Sequence, residues 1–110
     1  MLEKTTHLNL LYDFYHSLLT EKQRQYMELY YQDDLSLAEI ADQFHVSRQA
    51  VYEHIKRAEE LLARYESLLG LVRKYQKRQQ KLERMYTLLH EEEPDLDQLK
   101  RLVLDLKQLE

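Results

Sequence analysis

The sequence predicts an all-α protein, and three observations lead to that class. The chain of 110 residues contains one Gly and one Pro, so helices meet few breakers. Apolar residues make up 44% of the chain, and Leu and Tyr dominate them while β-branched residues are few. Apolar positions also recur three and four residues apart along most of the chain. We therefore expect one small helical domain with at most one appendage.

The N-terminal part of the sequence predicts two helices. The first covers roughly residues 5–18, where six apolar side chains recur at helical spacing: Leu8, Leu11, Tyr12, Tyr15, Leu18 and Leu19. Thr20 then begins the sequence Thr-Glu-Lys-Gln, a capping box that opens a second helix through about Gln32. The pair Asp33 and Asp34 supplies the turn that follows.

Two further caps define the central part of the chain. Ser36 and Glu39 form a second capping box, which opens a short helix over residues 37–44. Ser47 then caps a longer helix that begins at Arg48. Only a tight turn remains between these two helices, which is the arrangement of a helix-turn-helix motif.

The residues at the crossing point and in the turn favour the same motif. Ala41 is the small residue where the two helices cross, and His45 occupies the turn position at which glycine is usual. Histidine adopts a positive φ less easily than glycine, so the turn is kept at a small cost. The apolar anchors on the inner side are Ile40, Phe44, Val46, Val51 and Ile55. Caps, spacing and anchors together predict a helix-turn-helix.

The C-terminal part continues the helical spacing as a heptad seam. Its members are Ala58, Leu61, Tyr65, Leu68, Val72, Tyr75, Gln79, Leu82, Tyr86 and Leu89. The one breaker inside the seam is Gly70, so we expect two helices that meet near residues 67–70, with a near-continuous rod as the alternative. Pro94 fits the first turn of a last helix over about residues 95–109, whose apolar residues again form a seam: Leu96, Leu99, Val103 and Leu106.

These elements suggest a division of the chain into two parts. Residues 1–66 carry the N-terminal helix and the helix-turn-helix, and residues 67–110 form a C-terminal helical hairpin; a single compact unit is the alternative. The narrow seam of the hairpin favours a homodimer, in which the polar Gln79 sets the register.

The exposed side of the second helix of the motif is a candidate nucleic-acid-binding surface, formed by Ser47, Arg48, Gln49, Tyr52 and Lys56. Arg48 and Gln49 stand at the helix N-terminus, where a recognition helix meets base edges and where these side chains make bidentate contacts. The carboxylate of Glu53 is repulsive to phosphates unless it accepts from a cytosine amine. A solvated surface is the alternative for Arg48 and Gln49, and helix packing is favoured over base stacking for Tyr52 and Tyr65.

Positive charge is concentrated elsewhere in this acidic chain, whose net charge is −4. Residues 71–90 contain six Lys or Arg against one Asp or Glu, whereas residues 1–70 contain seven against twelve. The six cations are Arg73, Lys74, Lys77, Arg78, Lys81 and Arg84. They form either the solvated face of an ordinary amphipathic helix or a site for an anionic partner, such as RNA phosphates or an acidic protein surface. A third alternative is neutralisation by the acidic residues Glu91–Glu93, Asp95 and Asp97.

Several classes of function are disfavoured by what the sequence lacks. There is no cysteine, no glycine-rich phosphate loop, no nucleophile elbow and no His-Glu-x-x-His motif, so we expect no enzyme, no cofactor and no metal site. No apolar run approaches the ~20 residues that span a bilayer, and we expect no signal peptide, because the first residues lack a basic start followed by an uninterrupted apolar core. We expect a cytoplasmic protein without membrane insertion.

Residues 19–62 resemble the promoter-reading C-terminal domain, region 4, of bacterial sigma factors. The matching positions are Leu19-Thr20-Gln23-Arg24, then Leu35-Ser36-Glu39-Ile40-Ala41, then Val46-Ser47-Val51. The resemblance implies a sigma-region-4-like helix-turn-helix with an extra N-terminal helix and a C-terminal helical hairpin. The chain is too short for the sigma domain that melts promoter DNA, so we do not expect a working sigma factor.

The whole chain is similar to the YlxM family of helix-turn-helix proteins. The shared features are the Tyr-rich opening helix, the helix-turn-helix, and the segment YQKRQQKL at residues 75–82, followed by an acidic loop and a Leu-rich last helix. Members of that family are typically encoded beside the signal recognition particle GTPase. The resemblance therefore implies a role in, or regulation of, the signal recognition particle pathway.

Three functional hypotheses remain open at the level of sequence. The first is a regulatory protein that binds DNA or RNA through the helix-turn-helix. The second is an accessory protein that binds the protein or RNA of the signal recognition particle through the basic residues 73–84. The third is a structural dimeric adaptor that binds no nucleic acid.

Overall fold

The computed structural model describes residues 2–109, with side chains from Thr5 onward. The described residues form α-helices and one 3-10 turn and contain no strand, which confirms the all-α prediction. The helices are α1 (Leu2–Tyr15), α2 (Glu21–Tyr31), α3 (Leu37–Phe44), α4 (Arg48–Leu69), α5 (Leu71–Leu89) and α6 (Leu96–Gln108). Two compact units divide the described residues between Leu69 and Gly70, so that α1–α4 form the first unit and α5–α6 the second.

The N-terminal helix differs slightly from its predicted range. The α-helix ends at Tyr15, and residues 16–18, which were expected to continue it, form a 3-10 turn instead. Thr20 is the N-cap of α2 and has extended backbone angles, φ −67° and ψ 160°. The chain must therefore leave the helical conformation before Thr20, and the tighter 3-10 turn makes that exit.

Both predicted capping boxes are confirmed. At the start of α2, the Thr20 hydroxyl accepts from the Gln23 N–H at 3.2 Å, and the Gln23 side chain accepts from the Thr20 N–H at 2.9 Å. At the start of α3, Ser36 and Glu39 exchange the same two bonds, each 3.1 Å long. Each box satisfies two backbone N–H groups, that of the N-cap residue and that of the third helical residue. A helix start otherwise leaves such groups unpaired, so the box fixes where the helix begins.

Helix α4 is the centre of the first unit, because α1, α2 and α3 all pack against it. The buried core consists of Leu11, Tyr12, Tyr15, Leu19, Tyr26, Met27, Ile40, Ala41, Val51, Ile55, Ala58 and Leu62. Tyr26 is fully buried, and its ring makes edge-on contacts with Phe44 and His54, at centroid distances of 5.0 and 5.3 Å. These contacts join α2 to both helices of the motif, so aromatic packing on the buried side stabilises the helix-turn-helix.

Tyrosine–carboxylate hydrogen bonds add a polar layer around this core. Tyr12 of α1 donates to Glu28 of α2, and Tyr15 of α1 donates to Glu66 of α4 at 2.6 Å. Tyr15 is also 6.1 Å, centroid to centroid, from Tyr65, whose predicted packing against a neighbouring helix is thereby observed. The hydrogen bonds fix how α1 lies on the motif, since each has its donor on α1 and its acceptor on another helix.

The turn of the helix-turn-helix has the predicted conformation. His45 is left-handed, with φ 57° and ψ 43°, and both its own N–H and that of Val46 donate to the carbonyl of Ala41. Asp34, in the preceding turn, also has a positive φ of 56°. Left-handed angles at a non-glycine residue cost free energy, but His and Asp tolerate them better than most residues do.

The helix is interrupted at Gly70, which confirms the expectation that two helices meet near residues 67–70. Helix α4 ends at Leu69, α5 begins at Leu71, and Gly70 between them has φ +65° and ψ 24°. A β-carbon on Gly70 would lie 2.9 Å from the guanidinium of Arg73. Glycine is suited to this position because it adopts a left-handed φ without strain.

The second unit is the predicted hairpin of α5 and α6, in which Leu88 and Leu99 are buried. Asp95 is the N-cap of α6, and its carboxylate accepts from the Gln98 N–H at 3.1 Å. Pro94 therefore precedes the cap, and its predicted place in the first turn is wrong. The aspartate is the stronger capping residue, and it starts the helix one residue later.

Candidate nucleic-acid interface

The candidate interface begins at the N-terminus of α4, directly after the left-handed turn. The Ser47 hydroxyl accepts from the Ala50 N–H at 3.0 Å and so caps the helix as predicted. As an acceptor it keeps its own O–H free to donate, for instance to a phosphate oxygen. Cap and turn therefore fix where the first turn of α4 stands relative to α3.

The predicted site residues form one exposed face of α4. Val51 and Ile55 are buried against α2 and α3, while the five candidates Ser47, Arg48, Gln49, Tyr52 and Lys56 are exposed. Helical periodicity explains the division, because residues three and four apart share a face. Arg48, Gln49 and Tyr52 also line one open depression of about 430 Å³ together with Leu37 of α3.

Two contacts restrain the side chains of this face. The Gln49 amide nitrogen donates to the Glu53 carboxylate at 3.4 Å, and the Lys56 ammonium lies 5.8 Å from the centre of the Tyr52 ring. Tyr52 is 45% exposed and lies beside Leu37 of α3 in the depression, so its ring is partly packed against a neighbouring helix and partly accessible. It points outward because Val51 and Ile55 already fill the inner side of the helix.

A second depression, of about 390 Å³, adjoins the first and shares Leu37 and Tyr52 with it. Its other lining residues are Tyr30, Tyr31, Ile55, Lys56 and Glu59. Tyr31 donates a hydrogen bond to Glu59. Burial is the main cause that raises the pKa of the Tyr31 phenol above its ordinary range, and this hydrogen bond is the second cause. Tyr30, Tyr31 and Leu37 were not predicted from the sequence as neighbours of the site. The adjacent aromatic pair at the end of α2 was the signal available.

The basic residues of α5 do not all share one environment. Lys74, Lys77 and Arg84 are exposed, whereas Arg78 and Lys81 are half-buried. Lys81 forms an ion pair with Asp105 of α6 at 3.4 Å. The guanidinium of Arg73 lies over Gly70.

Neutralisation of the basic residues by the acidic loop was one alternative, and the structure bears on it at two acidic residues. The acid that pairs with Lys81 is Asp105, which was not among those considered. Asp95, which was among them, uses its carboxylate to cap α6. Helix pairing explains the difference, because α6 packs along α5 and brings its own side chains against that face.

Two findings in the described residues concern metal binding and membrane spanning. No group of three or more His, Cys, Asp or Glu side chains in the described part of the chain is arranged to hold a metal ion. None of the helices in residues 2–109 combines the length and apolar character needed to cross a membrane.

Comparison with known proteins gives a match over nearly the whole chain. Residues 2–103 match the family UPF0122, described as "Putative helix-turn-helix protein, YlxM / p13 like". The chain is similar to a UPF0122 protein of Anoxybacillus flavithermus, with 56% identity over 110 residues and 100% of both chains covered. Over the same length it is 54% identical to UPF0122 proteins of Bacillus mycoides and Bacillus thuringiensis. The match includes every residue of the candidate interface.

Proposed function

The chain belongs to the UPF0122 family of YlxM-like helix-turn-helix proteins, and on that premise we propose that it is a regulatory protein that binds nucleic acid. The binding element is the face of α4 formed by Ser47, Arg48, Gln49, Tyr52 and Lys56. The proposed role is binding in the cytoplasm, without a chemical step.

The observation that carries the proposal is the position of Arg48 and Gln49. Both side chains are exposed in the first turn of α4, directly after the turn of the motif. In helix-turn-helix proteins the N-terminal residues of the second helix contact base edges in the major groove. Arginine pairs in a bidentate manner with guanine, and glutamine with adenine. Arg48 and Gln49 therefore carry the hydrogen-bonding groups that recognition of individual bases requires.

The remaining residues of the face suit contacts with the backbone of the nucleic acid. The Ser47 hydroxyl and the Lys56 ammonium can each donate to a phosphate oxygen. Few phosphates would be neutralised, because residues 1–70 carry more acidic than basic side chains. With about two phosphate contacts, the logarithm of the affinity should fall with the logarithm of the salt concentration at a slope of about −2.

The test is selection of binding sequences from random DNA by the wild-type protein and by Arg48→Ala. We expect the wild type to enrich a motif, and the variant to lose enrichment or to relax one position of that motif. Arg57→Ala is the matched control, because Arg57 is also an exposed arginine of α4 but lies on another face. Absence of any enriched motif, or the same motif from Arg48→Ala, would contradict sequence-specific reading.

A second candidate function is supported by the exposed cations of α5. Lys74, Lys77 and Arg84 are exposed in a segment, residues 71–90, with five more basic than acidic residues. Such a surface suits an anionic partner. The family resemblance suggests the protein or RNA of the signal recognition particle, which would make the chain an accessory protein of that particle.

One salt titration against DNA and against the particle's RNA separates the candidates. A variant with Lys77, Arg78, Lys81 and Arg84 all changed to Gln should lose RNA binding if α5 is the site, while Arg48→Ala should retain it. Loss of DNA binding in Arg48→Ala alone supports the helix-turn-helix. Absence of binding to either nucleic acid at low salt would favour a purely structural adaptor.

A further inference from the structure

The predicted heptad seam contains an exposed apolar ridge on α5. Leu82, Tyr86 and Leu89 are 42%, 62% and 60% exposed. They follow one another at spacings of four and three residues, so they share one face of the helix. The ridge consists of large apolar side chains that the hairpin leaves uncovered.

Helix α6 covers a different face of α5. Lys81, which pairs with Asp105 of α6, and the buried Leu88 are seven residues apart and mark the covered face. Leu82 and Leu89 each follow one residue later, about 100° further around the helix. The ridge is thus accessible while the hairpin remains intact.

The spacing assigns heptad positions to the ridge and its flanks. Gln79 and Tyr86 occupy a positions, and Leu82 and Leu89 occupy d positions. Leucine at d suits a two-stranded parallel coiled coil, and a single polar residue at a fixes register and strand number at some cost in stability. The sequence of the ridge therefore matches a partner helix of the same kind in parallel orientation.

Charge on the two flanks gives the same orientation. In this register Arg78 is a g residue and Glu83 is the e residue of the next heptad, five positions later. Side chains at g and at the following e′ meet between parallel helices and form interhelical ion pairs. A second copy would place its Glu83 against Arg78, and its Arg78 against Glu83. An antiparallel pair would not bring these two opposite charges together.

We propose that the α5 ridge of Leu82, Tyr86 and Leu89 binds the same ridge of a second copy in parallel, with two reciprocal Arg78–Glu83 ion pairs on its flanks. Stable interfaces bury roughly 800 Å² on each partner, which is more than three side chains supply. Helix α6 also exposes large apolar side chains, at Leu96, Val103 and Leu104, which are candidates for the further contact area. This inference concerns self-association and is independent of which nucleic acid the protein binds.

The first experiment is sedimentation velocity over a micromolar concentration series. The wild type should shift towards twice the monomer mass of 13.5 kDa. Tyr86→Lys, at an exposed position, should stay monomeric with an unchanged helical circular dichroism spectrum. A wild type that remains monomeric throughout would overturn the proposal, as would a dimer that Tyr86→Lys leaves intact.

Charge exchange tests the pairing directly. Arg78→Glu and Glu83→Arg should each weaken the dimer roughly tenfold, because each places like charges on both flanks. The double variant R78E/E83R should restore the wild-type dissociation constant, because it exchanges the signs of both partners. A double variant as weak as the single ones would overturn the ion pairs.

Orientation is tested by single cysteines, since the chain contains none of its own. On mild oxidation Leu82→Cys should give a covalent dimer, because d residues of parallel helices face each other. Lys77→Cys, at an outward f position, is the control and should remain monomeric under the same conditions. Failure of Leu82→Cys to form the disulfide, or equal yields from both variants, would overturn the parallel ridge.

Discussion

Tyr15 and Glu66 are 51 positions apart in the chain, and a hydrogen bond of 2.6 Å joins the phenol of one to the carboxylate of the other. Tyr15 is 1% exposed, so its hydroxyl is held at the edge of the core, where α1 meets α4. The contact links the first helix to the same helix that carries the candidate interface. The orientation of α1 on the motif thus depends partly on one polar bond.

Removing that bond should destabilise the protein. Tyr15→Phe keeps the ring but removes the donor to a half-buried carboxylate, so we expect a loss of about 1–3 kcal/mol in the free energy of unfolding. Urea denaturation followed by circular dichroism measures it. Glu66→Gln is the control, because its amide oxygen still accepts the bond and the loss should be smaller. Equal losses in the two variants would contradict the assignment.

Replacing the left-handed residue of the motif should stabilise it. His45 has φ 57° and is exposed, so His45→Gly relieves backbone strain without opening the core. We expect a gain of at most about 1 kcal/mol, because relief of left-handed strain is partly offset by the greater conformational entropy that glycine loses on folding. Thermal denaturation is the measurement. His45→Val should have the opposite sign, because β-branched residues tolerate a positive φ poorly.

The capping box of α3 should make stability depend on pH in the acidic range. Hydrogen bonds from the backbone and then the side chain of Ser36 lower the pKa of Glu39. A carboxylate whose pKa is lower in the folded state than in the unfolded state stabilises the fold fully above its ordinary pKa of about 4.3. This stabilisation is lost as the pH falls through the pKa of the folded state.

Glu39→Gln removes the titrating carboxyl group but keeps the capping box, because a glutamine forms the same two hydrogen bonds at the start of α2, where the residue is Gln23. We expect the difference in unfolding free energy between wild type and variant to be constant near neutral pH and to shift in favour of the variant below about pH 4.3. Denaturation at a series of pH values measures it. A difference that does not change with pH would show that the cap does not titrate.

Glu53 should weaken the proposed binding of nucleic acid. Its carboxylate is exposed on α4 and holds the Gln49 amide at 3.4 Å. Glu53→Gln removes a charge that repels phosphates and frees Gln49 from a charged acceptor. We expect a several-fold tighter dissociation constant for DNA at low salt, and a smaller gain at high salt because of screening. Asp13→Asn, which neutralises an exposed carboxylate on α1, should leave the affinity unchanged in a fluorescence anisotropy titration.

The sequence predicted the parts of the fold that depend on neighbours along the chain. The Ser36 box and the left-handed His45 were predictable because their partners lie within five residues. The bond between Tyr15 and Glu66 was not, because nothing local relates residues 51 positions apart. The seam was recognised from its spacing, but spacing does not tell which of its members α6 covers, and Tyr86 is exposed.

The site shows the same division between local and tertiary information. The exposure of Arg48 follows from helical periodicity, since Val51 and Ile55 must face inward. That Tyr31 of α2 and Tyr52 of α4 line the same depression depends on how α2 packs against α4, which the spacing of residues along the chain does not determine.

Gly70 gives the junction between the two units a preferred chirality. At φ +65° an L-alanine is strained, and its β-carbon would lie 2.9 Å from the Arg73 guanidinium. A D-amino acid has the mirror-image preference, so positive φ is its relaxed state. A synthetic chain with D-alanine at this position should therefore melt at a higher temperature than one with L-alanine. The two chains have the same composition, so this comparison isolates handedness from side-chain size and hydrophobicity.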